Sequence, residues 1–155
     1  MSYYYFDSSA LVKRYLTEIG SGWVLAITNP ADGHTIVVAE ITRVEVAAAL
    51  AARHRAPAGL TRAERDDAVD LLHNHYDIEY QSIATTPALL DRAVSLTQNY
   101  RLRSYDAVQL ATALLAHEQL AAAGLPGLIF TVADNDLVAA AQAEGLATEN
   151  PNDYP

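Results

Sequence analysis

The sequence contains no cysteine, and this absence excludes several classes of functional site. Without thiols the chain of 155 residues cannot form disulfides, cysteine-ligated zinc sites, iron–sulfur clusters or a cysteine nucleophile. Nothing in the composition argues for an oxidising compartment, so we expect the protein to act in the cytoplasm.

Long apolar runs and positive charge are also scarce. No apolar stretch approaches the roughly 18 residues that a membrane span needs. Asp7 interrupts the first apolar run, so we expect neither a signal peptide nor a membrane anchor. Ten basic residues against nineteen acidic ones give a net charge of −9, which is the wrong sign for a broad nucleic-acid-binding face. A nucleic-acid substrate would need metal ions or local basic residues to offset this charge.

Common catalytic motifs are missing as well. The sequence has no G-x-S-x-G elbow, no Walker lysine loop and no G-x-G-x-x-G, which removes the main support for a serine hydrolase, a P-loop nucleotidase or a dinucleotide enzyme. His73 and His75 flank an asparagine to spell HNH, but the nuclease motif of that name is dispersed along its chain. We interpret both histidines as solvated residues near a helix end.

The hydrophobic pattern alternates between strands and helices. Buried strands are predicted at Tyr3–Phe6, Thr35–Ala39 and Leu128–Val132, and a weaker one at Ile78–Ile83. Helical periodicity is found in Ala10–Thr17, Arg43–His54, Arg62–Tyr76, Pro87–Tyr100, Tyr105–Ala123 and Leu137–Glu144. This alternation predicts one α/β domain over residues 1–155, with a parallel sheet covered on both faces. Only the tail, Asn150–Pro155, looks loosely held.

Several helix starts carry capping signals. Thr42 with Glu45 and Thr61 with Glu64 each fit the capping-box pattern, in which a hydroxyl and a carboxylate satisfy the first free N–H groups. Ser104 is placed to cap the apolar helix that follows it.

Four carboxylates stand near the carboxyl ends of predicted strands or in the first turns of helices. They are Asp7, Glu45, Asp106 and Asp134. Each of them could instead have a purely structural role. Glu45 could complete a capping box, and Asp106 could be stabilised by the positive end of its helix dipole. Asp7 and Asp134 could cap the helices that follow them. Together at one sheet edge, where ligands bind in open parallel sheets, four carboxylates repel one another. Hard divalent ions such as Mg²⁺ or Mn²⁺ would relieve that repulsion.

Four sequence blocks resemble those of PIN-domain ribonucleases, most closely the VapC-type toxins of bacterial toxin–antitoxin pairs. The blocks are Tyr5–Tyr15 (YFDSSALVKRY), Ile41–Glu45 (ITRVE), Tyr105–Ala113 (YDAVQLATA) and Phe130–Asp134 (FTVAD). The resemblance implies a PIN-like three-layer α/β/α fold with a central, mostly parallel sheet. It makes Asp7 and Asp106 the main metal ligands, with Glu45 and Asp134 completing an acidic quartet and Ser9 supporting it by its hydroxyl.

Two positions depart from the family pattern. Gln109 stands where the family often has histidine, and Val132 stands where a serine or threonine usually precedes the fourth acid by two residues. Thr131 is displaced by one residue, which points its hydroxyl to the other side of a strand. Asp136 is a candidate spare ligand, or else an exposed acid at a helix start.

The implied activity is hydrolysis of RNA phosphodiester bonds by a Mg²⁺- or Mn²⁺-dependent endoribonuclease, the toxin of a toxin–antitoxin pair. One or two ions would activate a water and stabilise the leaving oxygen. Five basic residues near the acids could hold phosphates or lie on solvated helix faces: Lys13, Arg14, Arg43, Arg101 and Arg103. We interpret Tyr3, Tyr4 and Tyr5 as strand core and not as a base-stacking platform.

The family resemblance also implies partners. VapC-like proteins pair as homodimers and are silenced by a small antitoxin, which we expect to place an arginine near Asp7 and Asp106. Two alternatives stay open: a PIN-like interaction module that has lost catalysis, and a metal-dependent phosphomonoesterase. Phosphatases of the haloacid-dehalogenase type would need a second aspartate where Ser9 stands.

Overall fold

The centre of the molecule is a five-stranded sheet. The structure, a computed structural model, describes residues 1–155. The strands are β1 (Tyr3–Phe6), β2 (Thr35–Ala39), β3 (Gln81–Ile83), β4 (Leu128–Thr131) and β5 (Ala147–Glu149). They lie in the order β3-β2-β1-β4-β5, and every neighbouring pair is parallel. The expected parallel sheet is therefore confirmed, and it contains no antiparallel strand.

Seven α-helices surround the sheet. They are α1 (Ser8–Leu11), α2 (Ser21–Ile27), α3 (Thr42–Arg55), α4 (Arg62–Ile78), α5 (Pro87–Asn99), α6 (Ser104–Ala122) and α7 (Asn135–Ala143), with short 3-10 turns at Val12–Arg14, Pro30–Asp32 and Pro151–Asp153. None of these helices is both long enough and apolar enough to cross a bilayer.

Strand alternation divides the core into two, one on each face of the sheet. Tyr3 and Tyr5 of β1 point to a core shared with Phe130 of β4 and with α5, α6 and α7. Phe6 of β1 points to the opposite core, which is built with α1 to α4. The three-layer α/β/α architecture is thereby confirmed. Tyr3 and Tyr5 are strand core as predicted, and Tyr4 is half-buried on the other face.

The sheet topology creates a crevice at the carboxyl end of β1. From this central strand the chain builds outwards to β2 and β3 on one side, and later to β4 and β5 on the other. After β1, α1 packs on one face of the sheet, whereas after β4, α7 packs on the opposite face. Helices leaving neighbouring strands in opposite directions open a gap between them, and such switch points bind ligands in open α/β sheets.

Several boundaries differ from the sequence predictions. The helix expected at Ala10–Thr17 is a single α-helical turn from Ser8 to Leu11, followed by a 3-10 turn. The strand expected at Ile78–Ile83 begins only at Gln81, because α4 continues to Ile78. α2 and β5 were not predicted, since segments of seven and three residues are too short to show a clear period.

The prediction of a loosely held tail is wrong. Pro151 is buried, and the ring of Tyr154 stacks on that of Trp23 with centroids 4.8 Å apart and planes 6° from parallel. The tail follows β5, the strand that sequence periodicity missed, and this pairing places it against α2.

Candidate active site

A cleft of about 420 Å³ opens at the carboxyl ends of β1 and β4. It is lined by the four predicted acids together with neighbouring small, aromatic and basic residues: Asp7, Ser8, Ser9, Val12, Glu45, Ala49, Arg103, Tyr105, Asp106, Ala133 and Asp134. The structure thus brings together carboxylates that lie as far as 127 positions apart in the sequence, from Asp7 to Asp134.

Asp7 is the most deeply buried of the four acids, with 2% of its surface exposed. It is the N-cap of α1, where its Oδ1 accepts hydrogen bonds from the Ser9 hydroxyl at 2.7 Å and the Ala10 N–H at 3.0 Å. Burial, with smaller contributions from the charges of Asp106 and Glu45, raises the pKa of Asp7 to about 7. Asp7 therefore caps α1 and is also a buried carboxyl group whose ionised form is disfavoured by burial and by neighbouring negative charge.

Ser9 connects the ends of the two central strands. While its hydroxyl donates to Asp7, its Oγ also accepts the Ala133 N–H at 2.9 Å. Ala133 precedes Asp134, the acid that follows β4. This bridge ties the segment carrying the first acid to the segment carrying the fourth.

The predicted capping box of Thr42 and Glu45 is wrong. The N-cap of α3 is Ile41, and no side chain caps that helix. Glu45 instead points into the cleft, where its Oε2 accepts from the Ser8 hydroxyl at 2.9 Å and its Oε1 accepts from the Gln109 amide at 2.6 Å. Burial raises the pKa of Glu45, although these two hydrogen bonds oppose the shift. The helix starts one residue earlier than the motif assumes. The Glu45 carboxylate accepts hydrogen bonds from residues distant in sequence and not from the backbone of its own helix start.

Gln109 is the centre of a buried hydrogen-bond network. Its Nε2 donates to Glu45 and also to Thr42 Oγ1 at 2.8 Å, while its Oε1 accepts from the Tyr5 hydroxyl at 2.6 Å. Both amide hydrogens are therefore used, and the orientation of the amide is determined. In the sequence Gln109 stands out only as a departure from the family pattern, and no local signal identifies Ser8 as a second donor to Glu45.

One arginine, Arg103, faces both Asp106 and Asp134. The Nε of Arg103 is 3.2 Å from Asp106 Oδ2, and its Nη2 is 3.9 Å from Asp134 Oδ2. Asp134 also caps α7 by accepting the Leu137 N–H at 3.0 Å, as its structural alternative predicted. The N-cap of α6 is Arg103 and not Ser104, which already belongs to the helix, so the prediction of a serine cap is wrong.

No hydroxyl from β4 reaches Asp134. Val132 is buried in the core beneath α7. Thr131 is fully buried, and its Oγ1 has no hydrogen-bond partner. The departure of this chain from the family pattern therefore leaves the fourth acid without side-chain support from its own strand.

The five basic residues near the acids differ in their availability. Lys13 is buried in an ion pair of 3.4 Å, Arg14 is paired with Glu79 at 2.8 Å, and the guanidinium of Arg43 lies 4.5 Å above a tyrosine ring. Arg101 and Arg103 are exposed and line a second, adjoining cleft of about 290 Å³. For Lys13 and Arg14, the structure supports neither a phosphate clamp nor a solvated helix face.

The histidines lie elsewhere. His73 is exposed, but His75 is buried, and its Nδ1 is 2.7 Å from the Tyr15 hydroxyl, so the prediction of two solvated helix-end residues is wrong for His75. α4 continues past this position and packs it against the core. Asp136 is exposed in the first turn of α7 and lines the second cleft beside Arg101, Arg103 and two of the acids.

The chemistry of the donors fits a hard divalent ion. No three His, Asp or Glu side chains are arranged to hold one ion between them. However, Asp7 Oδ2 and Asp106 Oδ1 accept no hydrogen bond from the protein, and both residues line the cleft. Ions such as Mg²⁺ bind through one or two carboxylates and keep several waters, so two free carboxylate oxygens in an all-oxygen cleft suit them.

Comparison with known sequences identifies a family and relatives of this chain. Residues 4–143 match the family model of the PIN domain. Ribonuclease VapC45 of Mycobacterium tuberculosis is 37% identical over 146 residues, which cover 91% of this chain and 90% of that protein. Ribonuclease VapC49 of the same species matches to the same extent.

Solved structures share the fold at low sequence identity. A toxin–antitoxin complex from Klebsiella pneumoniae contains a chain with a TM-score of 0.61 and 20% identity, covering 95% of this chain and 96% of that one. The toxin VapC20 of Mycobacterium tuberculosis, which cleaves the sarcin–ricin loop, has a TM-score of 0.59 and 14% identity, covering 88% and 94%. The family match extends from β1 through α7 and contains all four acids of the cleft, so the chain belongs to the PIN-domain family.

Proposed function

We propose that this protein is a divalent-metal-dependent endoribonuclease and the toxin of a cytoplasmic toxin–antitoxin pair. One observation carries the proposal: four carboxylates line a single cleft at the switch point of the sheet. Burial and neighbouring charge already raise the pKa of one of them, Asp7, to about 7. A cluster of this kind has excess negative charge that a cation would neutralise.

Asp7 and Asp106 are the main residues that would hold the ion, and Glu45 and Asp134 would complete the acidic quartet around it. The ion we favour is Mg²⁺ or Mn²⁺, because every donor in the cleft is an oxygen and the sequence has no cysteine. When bound, such an ion supplies an activated water and charge stabilisation at the leaving oxygen of a phosphodiester.

The protein itself contributes position and local charge. Ser9 and the Ala10 N–H hold Asp7 Oδ1, which directs the other oxygen to the cleft. Gln109 and Ser8 hold both oxygens of Glu45. Preorganised donors lower the cost of arranging charged groups during reaction. At the mouth, Arg103 offers guanidinium N–H groups to phosphate in a protein that is otherwise strongly acidic.

RNA as substrate is supported by the relatives. The two proteins that are 37% identical to this chain are both named ribonucleases. The aligned span covers 91% of this chain and 90% of each relative, which supports the same reaction class here.

We propose a small antitoxin as the partner and a homodimer as the state of the toxin. The net charge of −9 favours a partner with basic residues, and a structural relative was solved in a toxin–antitoxin complex. The homodimer rests on the family resemblance, and sedimentation equilibrium of the purified chain tests it by giving the molecular mass in solution.

A second candidate, a PIN-like interaction module without catalysis, is favoured by one observation. Val132, directly after β4, stands where the family usually has a hydroxyl residue, and the hydroxyl of Thr131 has no partner. In that case the cleft would bind ions without cutting RNA.

One assay separates the candidates. The purified protein is incubated with structured and unstructured RNA and with a small phosphomonoester, each with and without Mn²⁺, beside the Asp7→Asn variant. Cleavage of RNA only with Mn²⁺, absent in Asp7→Asn, supports the nuclease. Hydrolysis of the phosphomonoester alone supports a phosphatase, and no hydrolysis despite Mn²⁺ binding supports the interaction module.

A further inference from the structure

Arg103 occupies an unusual position for an exposed residue. It is the N-cap residue of α6, and 82% of its side-chain surface is accessible to solvent. Its guanidinium nevertheless faces two carboxylates of the cleft, Asp106 at 3.2 Å and Asp134 at 3.9 Å. It also lines both the main cleft and the adjoining second cleft.

Arg103 is the only basic side chain in ion-pairing distance of the quartet. Neither Asp7 nor Glu45 pairs with any basic group, and Asp106 and Asp134 pair with Arg103 alone. The one basic side chain that pairs with the quartet thus faces Asp106 and Asp134.

The contact is weak enough to be exchanged. Ion pairs of exposed side chains contribute little to stability, because water solvates both partners and the long side chain loses freedom in pairing. In Arg103 only the Nε donates within hydrogen-bond distance, so most of the guanidinium N–H groups remain free. A planar guanidinium presents paired donors that match two phosphate oxygens.

Metal and arginine would compete for the same carboxylates. A divalent ion that uses oxygens of Asp106 or Asp134 replaces the positive charge that Arg103 now supplies. The displaced guanidinium would remain tethered at the rim, because Arg103 lines the same cleft as the four acids. Its charge then becomes available to substrate.

We propose that Arg103 alternates between two partners: the carboxylates of Asp106 and Asp134 before a metal ion binds, and the phosphodiester of RNA afterwards. The inference rests on the proposed nuclease function and adds to it a substrate-binding residue. Arg103 also lowers metal affinity until RNA arrives, so ion and substrate bind cooperatively.

The test compares Arg103→Gln with Arg101→Gln. Arg101 is exposed in the same loop and lines the second cleft, but it has no ion pair with any acid, so its substitution removes the same charge without the contact. Mn²⁺ affinity is measured without RNA by calorimetry and by the thermal shift of the protein. RNA cleavage is measured at saturating Mn²⁺ and constant ionic strength, because salt alone changes RNA affinity.

We expect Arg103→Gln to raise Mn²⁺ affinity and to lower the rate of RNA cleavage. Mn²⁺ should bind roughly threefold to tenfold more tightly, the effect that one neighbouring charge has on an ionic equilibrium. The kcat/KM for RNA should fall about tenfold to a hundredfold, as expected for losing a charge-assisted hydrogen bond. Arg103→Lys should keep Mn²⁺ affinity near that of the wild type and recover part of kcat/KM, since it keeps the positive charge but lacks the paired donors of a planar guanidinium.

Two results would overturn the inference while leaving the nuclease in place. In the first, Arg103→Gln changes Mn²⁺ affinity no more than Arg101→Gln does. In the second, Mn²⁺ affinity and RNA cleavage fall together, which indicates that Arg103 supports the fold of the cleft and does not compete with the ion. If the wild-type protein neither binds Mn²⁺ nor cuts RNA, the proposed function fails as well.

Discussion

The side-chain amide of Gln109 donates a 2.6 Å hydrogen bond to the carboxylate of Glu45, across 64 positions of sequence. Gln109 lies on α6 and Glu45 on α3, so this contact joins helices that pack on opposite faces of the sheet. The amide also contacts Thr42 and accepts from Tyr5, which leaves it one orientation. The position of Glu45 in the cleft is therefore determined by buried partners and not by its own helix.

This network predicts a stability cost for Gln109→Leu. The substitution leaves the Tyr5 hydroxyl, the Thr42 hydroxyl and one oxygen of Glu45 without a partner in a buried site. We expect the free energy of unfolding to fall by about 2–4 kcal/mol, measured by urea denaturation. The control Gln98→Leu removes an exposed amide on α5 and should change stability by less than about 0.5 kcal/mol. Equal effects of the two substitutions would contradict the network.

Metal binding by the quartet predicts ligand-induced stabilisation. Mn²⁺ at a hundred times its Kd should raise the free energy of unfolding by about 2.7 kcal/mol, and Asp7→Asn or Asp106→Asn should weaken this effect. Asparagine is a good N-cap, so Asp7→Asn should retain the start of α1. The exposed Asp91→Asn serves as control and should keep the full effect. If Mn²⁺ stabilised both variants as much as the wild type, Asp7 and Asp106 would not be ligands of the ion.

The raised pKa of Asp7 predicts that metal-free protein loses stability as pH rises. The folded-state pKa of about 7 exceeds the reference value of 3.8, so between these values the folded protein holds a proton that the unfolded chain releases. Stability from this group is complete below pH 4 and is lost towards pH 7. The loss amounts to as much as about 4 kcal/mol, from about three pKa units at 1.36 kcal/mol each.

Unfolding experiments at several pH values, with chelator present, measure this loss. Asp7→Asn should flatten the pH profile over the same window and be more stable than the wild type at pH 7. Asp91→Asn should reproduce the wild-type slope. An identical slope in Asp7→Asn would mean that Asp7 titrates at an ordinary pKa.

The proposed reaction predicts the chemistry of the RNA ends. A water nucleophile, in place of the substrate's own 2′-hydroxyl, leaves a 5′-phosphate and a 3′-hydroxyl. Mass spectrometry of the fragments and ligation to an adaptor that requires a 5′-phosphate detect these ends. A 2′,3′-cyclic phosphate would show that the nucleophile is the substrate's 2′-hydroxyl, and it would overturn the proposed hydrolysis by a metal-activated water.

The docking of the C-terminal tail predicts a difference between two glycines. Gly20 has φ of +86°, and a Cβ there would stand 2.2 Å from the carbonyl oxygen of Pro151. Gly20→Ala should lower the free energy of unfolding by more than about 2 kcal/mol, from the left-handed backbone and the overlap together. Gly22→Ala, which meets no atom within 4 Å, should be neutral or raise stability by up to about 1 kcal/mol. Thermal unfolding of both variants compares them.

Local patterns were sufficient for the elements that carry the acids. β1, β2 and β4 were predicted almost to the residue, because their apolar runs are continuous and buried. The same patterns failed for short segments, and they failed where one polar motif fits either a helix cap or a site residue. Thr42 and Glu45 spell a capping box, but the helix begins one residue earlier and the glutamate serves the cleft instead.

The sequence alone determined the α/β class, the positions of the central strands and the presence of four acids near strand ends or in first helical turns. These features depend on hydrophobic period and on the rule that parallel strands end at one edge, both of which are local. The tertiary structure decided which partners each acid has. Gln109 and Ser8 hold Glu45 across 64 and 37 positions, and of the five basic residues only Arg103 contacts the quartet. Such pairings follow from how helices on the two faces of the sheet pack, and no short window of sequence contains that information.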